Sequence, residues 1–536
     1  MAIQKLNGDQ ALAFGALASG IKLVTSYPGS PSSGTVETLI GLAEKHDIYV
    51  EWSSNEKVAM EMGIGASIAG RRALVCTKSV GLNVMIDPLM ALNLTPVNGG
   101  LVILLGDDPG GYGSQNDQDS RPLAASLEMP MMEPSSPAEA YVMMQEAFDL
   151  SERSHIPVIL RETRSFTQQV EEISVSIDNV YAVDLGLVRE TWRFVPIPNN
   201  AVEKHRALHK TIEAVREWAN SSSFNAVTGR GKKGIVGVGF AHRKLLDVVG
   251  DEQPEDFRLL KLGILYPLPE KIIKQFLMDC QEVLILEENE PFIETQIKAL
   301  AFDLGCQTKI YGKQSRHVNR EGELFRWQIQ LALTSFMPEF VPIQDYWKEK
   351  EFEERPIKEN FCEGCKYDKV IDKLEEAAES LGQKPLLIGD PGCLVTVADR
   401  LDAKYALGSA VGVADGLSKA GAYERAVAIF GDSSFFHSSL SAICNAVHNQ
   451  SRILMVVLDN KATAASGFQV HPGVEKDAMG KKAQALDIEQ IARACGVKCV
   501  YTAGPDNFNS ALTETFREAL SNPDLALVIV QIDSFH

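Results

Sequence analysis

AVAIFGDSSFFHSSLSAICNAVHNQSRILMVVLDNKATAASGFQVHPG, residues 426 to 473, decides the fold. Two apolar runs, Ala426 to Phe430 and Leu454 to Leu458, flank a segment in which Phe436, Leu440, Ile443 and Val447 recur at helical spacing. The pattern predicts strand, helix, strand, and a crossover of that length makes the two strands parallel and right-handed. Gly431-Asp432-Ser433 and Asp459-Asn460 then stand just past the carboxyl ends of the strands, where open α/β sheets place their ligands. Asp432, the side-chain carbonyl of Asn460 and the backbone carbonyl at Ala462 make a set of hard oxygen donors. Such a set suits Mg²⁺, which keeps its other positions for phosphate oxygens and water. Gly and Asp are equally ordinary turn residues at a strand end, so Gly-Asp-Ser alone does not separate a metal site from a plain turn.

A chain of 536 residues holds about three domains by length, and 45% apolar residues fill several cores. Its apolar runs are far shorter than the ~20 residues a membrane helix needs, and MAIQKLNGDQ at the N-terminus lacks a signal pattern. A soluble, cytoplasmic protein is expected. Seventy-one acidic against 52 basic residues, a net charge of −19, argues against a nucleic-acid surface. The nine cysteines are scattered and odd in number, so reduced thiols are expected. Cys362 and Cys365 form a CxxC, Cys393 lies in GDPGC, and no ferredoxin-type CxxCxxCxxxCP run occurs.

From residue 1 to about 190 we expect one α/β domain. The strand 22–27 leads into Pro28-Gly29-Ser30-Pro31-Ser32-Ser33, whose backbone N–H groups at a helix start can hold an anion, though such loops also serve as plain connections. The strand 49–52 leads through Ser53-Ser54-Asn55 to Glu56 and the nearly all-apolar helix VAMEMGIGASIAG. Glu56 is thus a carboxylate in the first turn of a buried helix, where it can answer the helix dipole or do chemistry. Strands 73–77 and 101–105 follow, the first entering a helix through Lys78 to Asn83, the second opening the polar, Gly-rich loop Gly106 to Arg121. A loop of that length and place reads as a ligand loop. A second, charge-rich α/β unit runs from about 195 to 345 with strands 234–238, 257–263 and 283–287 and no evident nucleophile and base pair. The polar linker KEKEFEERPIKEN precedes a third unit, 360 to 536, with a helix 369–381, a strand 385–388, the small-residue helix YALGSAVGVADGLSKAG and the opening stretch. Gln469 and His471, in a Gly-bracketed loop, have no obvious core role.

Gly-Asp-Ser with Asp-Asn 27 and 28 residues beyond its Asp resembles the thiamine diphosphate motif. Together with Phe-Phe-His-Ser, VEWSSNEKVAMEMGIGAS, Ser114 to Asp119 and LKLGILYPLPEK, it resembles the α subunit of indolepyruvate ferredoxin oxidoreductases along the whole chain. The resemblance implies a thiamine-diphosphate-binding α/β fold of doubly wound parallel sheets: a pyrimidine-binding domain at 1–190, a transketolase-C-like domain at 195–345 and a diphosphate-binding domain at 360–536. It implies that Glu56 faces N1′ of the aminopyrimidine, and that Asp432, Asn460 and the Ala462 carbonyl hold Mg²⁺. Ser30, Ser32, Lys78, Asn83, Gly431, Ser433 and Gln469 would then contact cofactor. His437 and His471 are the proton-transfer candidates near neutral pH, with a core histidine the competing reading for each.

The implied activity is oxidative decarboxylation of a 2-oxoacid, an aryl pyruvate by analogy, to its acyl-CoA. A homodimer with a smaller β-like subunit and a separate iron–sulfur or flavin protein is expected, because the sequence ends at His536 without the family's ferredoxin module. After its last strand it has Ile532-Asp533-Ser534-Phe535 where relatives commonly carry Arg-Pro-Cys. Cys362, Cys365 and Cys393 match three positions that hold a [4Fe–4S] cluster in pyruvate-type relatives. They are either retained thiols or a set completed by Cys495, Cys499, His536 or a partner. Two other readings stay open: a non-oxidative thiamine-dependent decarboxylase or carboligase, and a cofactor-free interaction subunit.

Overall fold

The computed structural model describes residues 2–177, 180, 182–190, 192–250, 257–347, 365–421, 426–504 and 510–532. The expected linker 348–360, Cys362 and the tail 533–536 lie outside the described residues. The chain divides into two compact units, Met1–Val50 with Glu56–Arg355, and Glu51–Asn55 with Pro356–His536.

In the first unit the strand Ala73–Lys78 pairs in parallel with Leu23–Ser26 and Leu101–Asp107, and Leu101–Asp107 with Val158–Thr163. Ala73–Lys78 and Leu101–Asp107 are apolar along most of their length, and all six residues of Val158–Thr163 are buried, its polar half Arg161-Glu162-Thr163 included. Continuous burial is what a sheet covered on both faces demands. A departure from the sequence reading lies beyond Val158–Thr163: Met131–Met132 and Ile264–Tyr266 extend this sheet, the last antiparallel. The expected strand 257–263 thus stops at Leu262, and the chain passes through Gly263 into the neighbouring sheet. The second sheet of this unit runs Lys309–Tyr311, Glu282–Leu286, Lys233–Val238, Phe257–Leu262 and Ala226–Gly229, parallel save the last. Two elements not expected from the sequence complete it: Ala2–Asn7 pairs antiparallel with Val170–Val175, and Pro198–Ser221 is a helix of 24 residues.

A buried ionic network lies inside this unit. Arg121, fully buried, pairs with Asp119 and Glu287 at 2.7 Å each and donates to the carbonyls of Glu288 and Glu290. Arg161 pairs with Asp107 and Glu133, and Lys244 with Glu288 and Glu323. Removing one member of such a set strands its partners' charge, which costs far more than a surface pair is worth. Arg121→Ala is expected to destabilise the protein by about 3–5 kcal/mol, read as a lowered urea midpoint, whereas Lys271→Ala, at an exposed pair with Glu217, is expected to change it by less than about 1 kcal/mol.

The second unit holds a six-stranded, all-parallel sheet in the order Ala403–Lys404, Leu386–Gly389, Ala426–Gly431, Leu454–Asp459, Ala526–Gln531, Cys499–Ala503. From Leu386–Gly389 the chain first goes outward to Ala403–Lys404, then returns to lay Ala426–Gly431 on the other side. The order therefore reverses between those two central strands, and a crevice opens at their carboxyl ends. The helix after Ala426–Gly431 differs from the even periodicity expected: Asp432–Ser434 is followed by a π turn, Phe435–Ser439, before Leu440–His448. The residue accommodated by the π turn rotates the face that follows, so Ala446 is fully buried and Val447 only half-buried. The small-residue helix also starts late, at Ala410, because Gly408 takes φ +82 and turns the chain first.

Candidate active site

At the crevice of the second unit, Asp432 is 2% exposed. Its Oδ1 accepts the Ser433 N–H at 2.7 Å, and its Oδ2 accepts the Lys461 N–H at 2.6 Å. His471 completes the set. Its Nδ1 accepts the Gly473 N–H at 3.0 Å, so the ring proton sits on Nε2, which donates to Asp432 Oδ2 at 3.1 Å. Phe436 stacks on the His471 ring with centroids 5.6 Å apart. His471 is thereby held with Nε2 toward Asp432 and orients its carboxylate.

Asn460 follows the next strand and is 9% exposed, its Oδ1 accepting the Ala462 N–H at 3.2 Å. Asp459 is buried beside Asp432, its Oδ1 without a hydrogen-bond partner among the described residues and its Oδ2 2.8 Å from Lys461 Nζ. Burial first, and then the neighbouring Asp432 carboxylate, push the pKa of Asp459 above the ordinary carboxylate range. Two buried carboxylates, one with an orphaned oxygen, and an amide carbonyl form a cluster short of positive charge. That donor chemistry fits a small divalent cation with open positions for phosphate.

Ser433 Oγ accepts from Thr463 Oγ1 at 3.0 Å, and Gln469 turns both ends of its amide onto Ser466. Both brace the loop after Leu454–Asp459. His437 is buried in the π turn with Nδ1 2.5 Å from Ser438 Oγ. Cys365 and Cys393 both pack against the apolar cluster around Leu374, Leu394 and Phe516.

Asp390, after Leu386–Gly389, was not legible as a site residue. It accepts the N–H groups of Gly408 and Ala410 at 2.7 and 2.8 Å and the Ser434 hydroxyl. It thereby ties the loop ahead of Ala410–Lys419 to the residue two beyond Asp432. Burial, only partly offset by those three donors, raises its pKa to about 6. The folded protein therefore holds a proton between about pH 4 and 6 that the unfolded chain has released, and this contribution to stability falls as pH rises through that window. The stability difference between wild type and Asp390→Asn is expected to shrink by roughly 3 kcal/mol at most between pH 4 and 7. Urea titrations of both proteins at each pH check it.

In the first unit Glu56 opens the helix Glu56–Ile68 and is 4% exposed. It lies against Gly81 in the helix Ser79–Leu92, where a Cβ would stand 2.7 Å from Glu56 Oε1. Only glycine leaves room for that carboxylate, a cradle that fits a carboxyl kept dry for one polar partner. Lys78 lies with its methylenes along Gly29. Ser32 is buried and donates to the Gly29 carbonyl, while Ser30 is exposed. Asn83 is exposed and paired with Gln118 in the Gly106–Arg121 loop. In the same loop Ser114 Oγ is buried with no partner, and Gln115 and Asn116 are exposed.

Three known protein families match the chain. The pyruvate flavodoxin/ferredoxin oxidoreductase thiamine-diphosphate-binding family matches residues 14–205, the indolepyruvate oxidoreductase domain residues 242–338, and the thiamine pyrophosphate enzyme C-terminal binding domain residues 403–530. Fold, site and matches define a thiamine-diphosphate-dependent 2-oxoacid oxidoreductase. The chain is 34% identical, over 98% of itself and 85% of the relative, to indolepyruvate oxidoreductase subunit IorA of Methanothermobacter marburgensis, and equally to that of Pyrococcus abyssi. The subunit of the same name from Archaeoglobus fulgidus is 31% identical over the same shares. The chain belongs to the indolepyruvate oxidoreductase α-subunit family. Among the described residues no helix is long and apolar enough to cross a membrane.

Proposed function

We propose that this protein oxidises an aryl 2-oxoacid of the indolepyruvate type, with coenzyme A, to the acyl-CoA. The balanced change is R–CO–COO⁻ + CoA–SH → R–CO–S–CoA + CO₂ + 2 e⁻ + H⁺. When bound, thiamine diphosphate supplies the carbon nucleophile and electron sink that this change needs. The chain's own residues do the rest. Asp432, Asn460 and the Ala462 carbonyl would hold Mg²⁺, which would neutralise diphosphate charge, with Asp459 as a further carboxylate beside them. His471 keeps Asp432 Oδ2 oriented. Glu56, buried and close against Gly81, shares a proton with the aminopyrimidine nitrogen and so sets its tautomer. His437 is the remaining proton carrier for the substrate.

The observation that carries this reading is the buried oxygen cluster Asp432, Asp459 and Asn460 at the strand-end crevice. In domain terms, 1–190 serves the pyrimidine, 195–345 is transketolase-C-like, and 360–536 serves the diphosphate. A homodimer working with a smaller β-like subunit in the cytoplasm completes the reading, and assembly with another subunit accords with relatives that are themselves named as subunits. Electrons leave through an iron–sulfur or flavin protein. Cys362, Cys365 and Cys393 are the ligands for a cluster on this chain, should iron be found on it.

The test is an anaerobic assay of the chain with whatever co-purifies, supplied with Mg²⁺, thiamine diphosphate, coenzyme A, a one-electron dye and a panel of 2-oxoacids. Aryl acyl-CoA formed in step with two dye equivalents is expected. Aldehyde formed without any acceptor would overturn the oxidative assignment, and a preference for small aliphatic 2-oxoacids would overturn the substrate class.

A further inference from the structure

Away from the sheet ends, two imidazoles and a carboxylate converge on one point of the first unit. His205 and His209 lie one turn apart on the helix Pro198–Ser221, their ring centroids 4.3 Å apart. Their Nε2 atoms stand 2.6 and 2.9 Å from the two carboxylate oxygens of Glu128, and the three ligand atoms lie within 4.8 Å of one another. Glu128 is presented from a left-handed backbone, φ 54, just past the helix Arg121–Ser126. A non-glycine residue held there is a conformation the surrounding structure must impose.

Hydrogen bonding alone is a poor account of this cluster. Two neutral imidazoles gain little from one partly buried carboxylate, and two imidazoliums at this separation repel each other. A divalent cation serves all three groups at one centre. Histidines at i and i+4 present two nitrogens on one helix face, a carboxylate gives the third ligand, and water takes a fourth position. Two nitrogens and one oxygen select a borderline metal of the zinc kind over Mg²⁺ or Ca²⁺. Both rings are about half exposed, 47% and 59% of their side-chain area, so an ion can enter.

The helix gains something specific from such an ion. None of residues 198–207 is buried, and burial begins at Leu208, followed by Ile212, Val215 and Ala219. We propose that Glu128, His205 and His209 form a site for a zinc-type divalent cation, which fastens the N-terminal half of this helix to the turn at Glu128.

Calorimetric titration of chelator-treated, full-length protein with Zn²⁺ tests this against His205→Gln/His209→Gln and, separately, Glu128→Gln. Cysteine thiols bind zinc too, so the difference between proteins is the readout. Wild type is expected to take one more equivalent than the double variant, with affinity at that site lowered more than roughly a hundredfold there and about tenfold in Glu128→Gln. Zn²⁺ is expected to slow amide exchange over 198–207 in wild type only. All replaced groups are surface-accessible, and circular dichroism checks that the variants fold. Equal stoichiometry and affinity in all three folded proteins, or equal protection of 198–207, would overturn the proposal.

Discussion

Asp432→Ala is expected to weaken thiamine diphosphate binding in the presence of Mg²⁺ by more than about a hundredfold. The substitution removes one of the two carboxylates of the oxygen cluster and weakens the hold on the Mg²⁺ that would compensate the diphosphate charge. It also strips three donors, the buried Ser433 N–H and His471 Nε2–H and the part-buried Lys461 N–H, of their acceptor. Each stranded donor costs about 1–3 kcal/mol, so lost binding must be separated from local unfolding. Asp432→Asn makes that separation, since it keeps the size and one acceptor oxygen while removing the charge. Calorimetry is expected to find Asp432→Asn folded and still deficient in cofactor. Cofactor affinity within about threefold of wild type in the folded Asn variant would place the diphosphate elsewhere.

Glu56→Gln is expected to lower kcat/KM by about 10²–10⁴-fold, the range that a positioned acid–base group contributes. The amide matches the carboxylate in shape, so the close seat against Gly81 is kept. An amide cannot share a proton with a ring nitrogen as a carboxylate does. Thiamine diphosphate affinity is therefore expected to stay within about tenfold of wild type while turnover collapses. Loss of binding together with turnover would instead make Glu56 a residue that only shapes the pocket.

What could be read from the sequence divides along a physical line. Strands such as Ala73–Lys78 and Leu454–Asp459 announce themselves because they are buried on both faces, and burial writes itself as an unbroken apolar run. Asp432 and Asn460 were legible because a strand-end position follows directly from two such runs. Glu56 was legible because an apolar helix begins right after it. Asp390 was not, since the groups that define it belong to residues 18, 20 and 44 positions later. The π turn at Phe435–Ser439 leaves no mark on apolar periodicity over so short a span. Arg121 and Lys244 read as surface charges, and only the tertiary fold brings Glu287, Glu288 and Glu323 to them. The same limit hid Glu128 beside His205 and His209, which lie far from it along the chain.

Glu56 acts at the cofactor itself in the proposed reaction, so its effect on the C2 proton is direct. The measurement is the rate at which the C2 proton of bound thiamine diphosphate exchanges with deuterium, followed by quenched-flow NMR in wild type and Glu56→Gln at equal cofactor saturation. A fall of about 10²-fold or more in the variant is predicted. Exchange within about twofold of wild type would contradict the assignment of Glu56.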